Sequence, residues 1–250
     1  MRVLRPLTTA AGLLAVWEAG VRLAELPPYI LPGPVAVAGA LLARADLLAR
    51  HAGITLAEIL LGMLLGSLVG TASAVLLAAF APLRRWLLPV LVVSQALPVF
   101  ALAPLLVLWF GYGMASKVAM AVLIIYFPVT AAFFDGLRRT EPAWLELARV
   151  MNARPHRVLW LIRIPAALPA LASGLRVAAS VAPIGAVVGE WVGSSAGLGY
   201  LMLHANARMQ IDLMFAALFL LALTGLALWY AVDRALRRLV FWQKETLSAG

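Results

Sequence analysis

Residues 140–165 read Thr140-Glu141-Pro142-Ala143-Trp144-Leu145-Glu146-Leu147-Ala148-Arg149-Val150-Met151-Asn152-Ala153-Arg154-Pro155-His156-Arg157-Val158-Leu159-Trp160-Leu161-Ile162-Arg163-Ile164-Pro165. The stretch opens as a helix start: Thr140 suits a cap, Pro142 the first turn, and Glu141 the positive end of the helix dipole. The helix predicted from it carries Trp144, Ala148 and Met151 on one side, with Glu146 and Arg149 on others. Asn152 is the stop, because asparagine tolerates the left-handed conformation better than any residue but glycine. Pro155 then opens a second short helix with Val158, Leu159 and Ile162 apolar and Arg157 and Arg163 polar, which Pro165 ends. Two short amphipathic helices held at a fixed angle make a knob, and its apolar side asks for something to pack on it.

On both sides of the knob the chain becomes hydrocarbon. Of 250 residues 64% are apolar and only 12% charged, against about 45–50% and about 25% in a soluble domain. A soluble protein of this size has no way to cover that much apolar surface, so lipid is the solvent for most of the chain. Runs of about 20 apolar residues lie near Leu7–Leu26, Gly53–Phe80, Leu87–Phe110, Met114–Phe134, Ala166–Val188 and Leu213–Val232. Six spans place both termini on one side. That side collects Arg2, Arg5, Arg84, Arg85, six arginines from Arg138 to Arg163, and Arg234, Arg237, Arg238 and Lys244, fourteen of the 20 cations. The positive-inside rule makes it cytoplasmic, so the net charge of +9 is a topology signal before it is a nucleic-acid signal. The first span is interrupted by Glu18 and Arg22, whose i, i+4 spacing suits an ion pair. A cleaved signal peptide over Met1–Ala24 is the rival reading, opposed by the charges that follow directly on the apolar core. The absence of cysteine excludes thiol chemistry and disulfides.

The whole chain, residues 1–250, reads as one transmembrane domain with residues 140–165 as a loop within it. Leu31 to Arg50 is expected to form a short interfacial helix with Arg44, Asp46 and Arg50 on its polar side. Gly62, Gly66 and Gly70 align flat spots on one face of the second span, which suits packing within the subunit more simply than between subunits. Gln95-Ala96-Leu97-Pro98 kinks the third span, either to line a pathway or merely to pack. Arg176 falls eleven residues past Pro165, about 16 Å into the membrane, and needs a cavity or a structural acid. Glu190, at the outer end of the same span, reads most simply as a solvated interfacial acid. Ser194, Ser195, His204, Asn206, Arg208 and Gln210 form a polar outer stretch, either a docking surface or a plain solvated loop.

At the knob the sequence resembles a known family. Glu146-Leu147-Ala148, three residues, Asn152, nine residues and Ile162-Arg163-Ile164-Pro165 is similar to the EAA loop of binding-protein-dependent ABC importer permeases: Glu-Ala-Ala, three residues, Gly, nine residues, Ile-x-Leu-Pro. Leu147, Asn152 and Ile164 depart from that pattern, and only Asn152 replaces a residue with a conformational duty. Leu31-Pro32-Gly33-Pro34, Gln95-Ala96-Leu97-Pro98, Leu108 to Gly113, Gly136-Leu137-Arg138 and Gly193 to Tyr200 extend the likeness to the branch serving nitrate, taurine, alkanesulfonates and hydroxymethylpyrimidine-type thiamine precursors. The resemblance implies an all-α, six-span subunit of the bacterial inner membrane that works as a homodimer. It also implies a cytoplasmic ATPase subunit that binds the ATP and magnesium and receives Trp144, Glu146, Ala148, Met151, Asn152, Ile162 and Pro165, and an extracytoplasmic substrate-binding protein. Translocation falls to Gln95, Pro98, Arg176 and Glu190, with a pyrimidine-type cargo as the first choice and sulfonate, taurine or nitrate as the alternative.

The chain has no Gly-x-x-x-x-Gly-Lys-[Ser/Thr] loop, so no phosphate cradle of its own is recognisable and no cofactor or metal is expected on it. Gly193-Ser194-Ser195-Ala196-Gly197 satisfies Gly-x-Ser-x-Gly but follows a membrane helix instead of a strand, which argues against a hydrolase. A proton-coupled carrier would want an Asp/Glu/His relay along the spans, and none is legible.

Overall fold

The computed structural model describes residues 4–242. Arg2 and Lys244, two of the cations counted toward the terminal side, lie outside the described residues. Every regular element among the described residues is helical: α1 (Leu4–Leu23), α2 (Pro34–Ala43), α3 (Ala45–Ala79), α4 (Ala81–Ser94), α5 (Val99–Phe110), α6 (Met114–Arg138), α7 (Pro142–Val150), α8 (Pro155–Val158), a π-helical turn (Leu159–Arg163), α9 (Ile164–Gly193), α10 (Leu198–Ala207) and α11 (Ile211–Leu239). Four continuous helices are long and apolar enough to cross a membrane, Ala45–Ala79, Met114–Arg138, Pro155–Gly193 and Ile211–Leu239, and α4 with α5 makes a fifth if the bent pair counts as one span. In α1, Glu18 and Arg22 form the expected pair, 2.6 Å apart.

Three expectations change here. The segment from Leu31 to Arg50 is not one interfacial helix. α2 stops at Ala43, Arg44 turns the chain at φ −119°, and Ala45 starts a helix of 35 residues that contains Asp46 and Arg50. At 1.5 Å per residue α3 is about 52 Å long, so it runs well beyond the hydrocarbon it crosses. The segment expected as a kinked third span is two separate helices: α4 and α5 meet at 103°. Pro98 has no N–H to continue a ladder and pushes Leu97 out of helical geometry, whereas Pro89 and Pro104 sit inside α4 and α5 without ending them. Pro165 does not end the second knob helix either. The Ile164 N–H reaches back five residues to the Leu159 carbonyl, and this wider turn carries the helix past a proline that lacks the donor for a four-residue bond.

The core is α6 held between α3 and α9. Gly62, Gly66 and Gly70 all face α6: a Cβ on Gly66 would stand 2.7 Å from Ile125 and one on Gly70 2.7 Å from the Tyr126 carbonyl. On the opposite flank Gly174, Gly185 and Gly189 of α9 approach the Pro128 carbonyl, Ala121 and Lys117 in the same way. Small residues on both neighbours let backbones close on α6 where no hydrophobic force against lipid drives association. Ile59, Ala121, Ile125, Val129, Ala178 and Ala182 fill the seam. A second cluster joins Val37 and Ala40 of α2 to Leu198 and Leu201 of α10 and Leu213 of α11. The bundle therefore has two ends. One carries the α7–α8 knob, and the other the turn between α9 and α10.

Candidate functional site

At the knob end, α7 begins without the expected cap. Thr140 Oγ1 donates to the Leu137 carbonyl at 3.1 Å, which finishes α6 instead of starting α7. The stop is as expected and more complete. Asn152 has φ +51°, its N–H reaches the Arg149 carbonyl at 2.9 Å, and the Ala153 N–H reaches the Ala148 carbonyl at 2.9 Å. That pair of bonds is a Schellman closure with asparagine in the left-handed position. It fixes the turn into α8 and the angle of the knob.

The knob encloses one side of a cleft of about 960 Å³, lined by Trp144, Ala148, Met151, Asn152, Ile162 and Pro165 among others. The structure thus brings together six of the seven residues that the sequence singled out there. Glu146 is exposed and stands apart from the lining. Ala148 is buried at the base, but Trp144 is 52% exposed and Met151 73%, so the apolar side faces out. Trp242 also lines the cleft; it follows α11, about ninety residues further along the chain, and no local pattern points to it.

Halfway along α6, the Tyr126 hydroxyl meets Ser94 Oγ at 2.6 Å, at the end of α4. Ser94 Oγ donates to the Leu91 carbonyl at 2.7 Å, and Gln95 Nε2 donates to Ser94 Oγ at 3.3 Å. Gln95, Ala96, Leu97 and Pro98 are exposed in the chain. Tyr126 is twelve residues, about 18 Å, from either end of its helix. Non-helical backbone at that depth is tolerated only where protein covers it or water reaches it.

Arg176 takes its structural alternative. Its Nε lies 2.7 Å from Asp233 Oδ1, and Arg237 Nε lies 2.8 Å from Oδ2 of the same carboxylate. The deep cation of α9 is therefore tied to α11, with its side chain 28% exposed.

The other end of the bundle overturns the reading of Glu190. It is 1% exposed and its carboxylate accepts from Thr55 Oγ1 at 2.6 Å, the Gly199 N–H at 2.5 Å and the Tyr200 N–H at 3.3 Å. Thr55 Oγ1 accepts the Leu198 N–H at 2.7 Å, and His51 Nδ1 accepts the Gly197 N–H at 2.9 Å. One helical turn deeper on α3, Glu58 pairs with Lys117 Nζ at 2.8 Å, and its second oxygen meets no donor among the described residues. Lys117, the fourth residue of α6, is only 7% exposed. Gly197, at φ +119°, has the Glu190 carboxylate where a Cβ would stand, so only glycine fits. Burial of this kind needs partners on every side, and they come from α3, α6, α9 and the first turn of α10 with Gly197 before it.

The expected polar outer loop is also a helix. α10 buries Leu198, Gly199, Leu201 and Ala205, His204 packs on Tyr200 with ring centroids 3.9 Å apart, and Asn206 and Arg208 remain exposed. Ser194 closes its own turn with Ala196. His51 and His204 bond Gly197 and the Tyr200 carbonyl through Nδ1, neither ring has a carboxylate partner or a hydrogen bond to Ser195 among the described residues, and the Gly-x-Ser-x-Gly match carries no triad.

Residues 48–243 match the family model described as the binding-protein-dependent transport system inner membrane component. Over 241 residues the chain is 59% identical to a probable ABC transporter permease protein of Haemophilus influenzae, with 96% of this chain and 98% of that one covered. It is 35% identical over 245 residues to the formylaminopyrimidine transport permease protein ThiX of Halalkalibacterium halodurans, with 98% of each covered. A chain of the MetNI methionine ABC transporter in an inward-facing conformation shares the fold at a TM-score of 0.68 and 21% identity, over 78% of this chain and 97% of that one. Glycine-packed spans, a Schellman-stopped knob with an outward apolar cleft, and these matches along most of the sequence converge: the chain belongs to the family of inner-membrane components of binding-protein-dependent transport systems, the ABC transporter permeases.

Proposed function

We propose that this chain is the permease subunit of an ATP-driven importer, working as a homodimer of six-span subunits with both termini in the cytoplasm. α1 supplies the sixth span, its Glu18–Arg22 pair lowering the expense of two charges at its end. The ATPase subunit docks on residues 140–165 and binds the ATP and magnesium; this chain binds neither. Trp144, Ala148, Met151, Asn152, Ile162 and Pro165 receive it, and Glu146 meets it from the rim. The observation that carries the reading is the cleft itself, in which large apolar side chains are held outward by a Schellman stop that serves no core. The continuous helix from Pro155 to Gly193 gives motion at that cleft a rigid path to the far end. There the substrate-binding protein docks on Ser194, Ser195, His204, Asn206 and Arg208, and the pathway runs past Gln95 and Pro98. Arg176 and Glu190 support its walls from within their bonded networks.

The cargo is a pyrimidine-type thiamine precursor. Support comes from the formylaminopyrimidine relative and from a riboflavin permease relative in Chloroflexus aurantiacus, 38% identical over 233 residues. Relatives named for aliphatic sulfonates and taurine keep a sulfonate or taurine cargo as the alternative. The test is to replace Trp144, Glu146 and Met151 together by alanine. Loss of ATPase co-purification and of uptake at normal membrane levels is expected, and unchanged association with unchanged uptake would sink the docking assignment.

A further inference from the structure

We propose that Tyr126, Ser94 and Gln95, at the break between α4 and α5, form a mid-membrane contact station for an uncharged nitrogen heterocycle bearing N–H groups. The inference rests on the importer reading above and adds a site and a selectivity to it. It starts from an account of hydrogens. Ser94 Oγ spends its only hydrogen on the Leu91 carbonyl, so at 2.6 Å the Tyr126 hydroxyl must be the donor of their shared bond. Gln95 Nε2 spends one of its two hydrogens on the same Ser94 oxygen. What the group offers outward is the lone pairs of Tyr126 Oη, the carbonyl oxygen Oε1 of Gln95, and one remaining Nε2 hydrogen. The station is therefore rich in acceptors and poor in donors.

That balance selects a ligand. A sulfonate presents only acceptor oxygens and a full negative charge, and it wants donors or a cation. Lys117 of α6 and Arg176 of α9 are each held by a carboxylate, Glu58 and Asp233, and no charged group belongs to the station. An aminopyrimidine edge presents N–H donors beside a ring-nitrogen acceptor, which matches Tyr126 Oη and the two ends of the Gln95 amide. Leu97 and Phe100, both more than half exposed beside the break, offer apolar surface to the ring. The position suits a transient contact. The backbone at Gln95–Pro98 is irregular and uncovered by its own chain at half-membrane depth, which physical chemistry permits along a water-filled path.

The test uses the full complex, permease with its ATPase and binding protein, in cells or proteoliposomes. Labelled 4-amino-5-hydroxymethyl-2-methylpyrimidine and a labelled simple alkanesulfonate, ethanesulfonate, are the probes. Wild type is expected to accumulate the pyrimidine, with Tyr126→Phe and Gln95→Leu each lowering its uptake up to about tenfold at equal membrane levels, the scale of one lost hydrogen bond. Gln95→Asn, which keeps the amide, is expected to retain more uptake than Gln95→Leu. Gln95 is exposed, so its variants test the station even if Tyr126→Phe folds poorly. Wild-type uptake of the pyrimidine with both variants unimpaired would overturn the station alone. Uptake of ethanesulfonate and not of the pyrimidine would overturn its selectivity while leaving the importer intact. Uptake of neither probe, together with no ATPase association, would overturn the importer reading and the station with it.

Discussion

The two ends of the bundle invert each other. At the α9–α10 end, charged and polar groups are buried and bonded: Glu58, Lys117, Thr55 and Glu190 are each less than one tenth exposed. At the knob end, large apolar side chains stand in the open, with Leu147, Met151 and Leu161 all at least 60% exposed. In a protein whose middle is solvated by lipid, apolar burial no longer distinguishes inside from outside. What holds the first end is polar satisfaction in a dry interior, and what marks the second is apolar surface left unspent. Stability is concentrated in one and binding capacity in the other.

The sharpest way to break this comparison is Lys117→Met. It strands the Glu58 carboxylate, and removing one member of a buried pair costs about 3–5 kcal/mol. A steep fall in thermal unfolding temperature in detergent is expected, largely restored when Glu58→Leu is added. A single variant that melts like wild type would mean the pair contributes nothing. Glu190→Leu comes next, leaving the Gly199 and Tyr200 amides without their acceptor at about 1–3 kcal/mol for an unsatisfied buried group. Hydrogen exchange should rise at residues 197–200 before anywhere else, and unchanged protection there would show that something other than Glu190 holds the turn.

Asn152→Ala should cost about 1–2 kcal/mol, the strain of a Cβ residue in the left-handed position, while Asn152→Gly melts at or above wild type. Equal melting of the alanine and glycine variants would remove the conformational argument for the stop. The smallest effect on stability belongs to Trp144→Ala with Met151→Ala, expected within about 0.5 kcal/mol of wild type because both side chains are exposed. The same double variant should lower ATPase-subunit association at least tenfold in a pull-down. If it unfolds the protein instead, the cleft belongs to the core and the contrast between the two ends fails.

Much of this was legible along the chain, and the exceptions share a cause. The apolar runs located α3, α6, α9 and α11, although α3 begins eight residues before its run and α11 ends seven residues after its own, and the Asn152 stop was readable because its determinants lie within five residues. Pro98 announced a disruption, but neither its angle of 103° nor the contact of Ser94 with Tyr126 thirty-two residues later. Glu190 was misread as solvated because it sits at the end of an apolar run beside glycines, where a local reading sees an interface, and nothing local singled out Lys117. Their partners are 135 and 59 residues away. The glycines of α9 passed unnoticed beside those of α3 because their spacing is irregular, though they pack on α6 just as closely.

By itself the sequence determined that this protein lives in lipid, is helical, and carries an amphipathic knob with a defined stop, because hydropathy, helical periodicity and turn chemistry act over a few residues. Only the tertiary structure decided that the polar groups at the far end are a buried, mutually bonded hub, that the knob shares its cleft with Trp242, and that the chain breaks by 103° between α4 and α5 beside the Ser94–Tyr126 pair. Each of those depends on which helices touch. That is set by close backbone approach and by matching donors to acceptors across distant segments, and neither leaves a periodic trace along the chain.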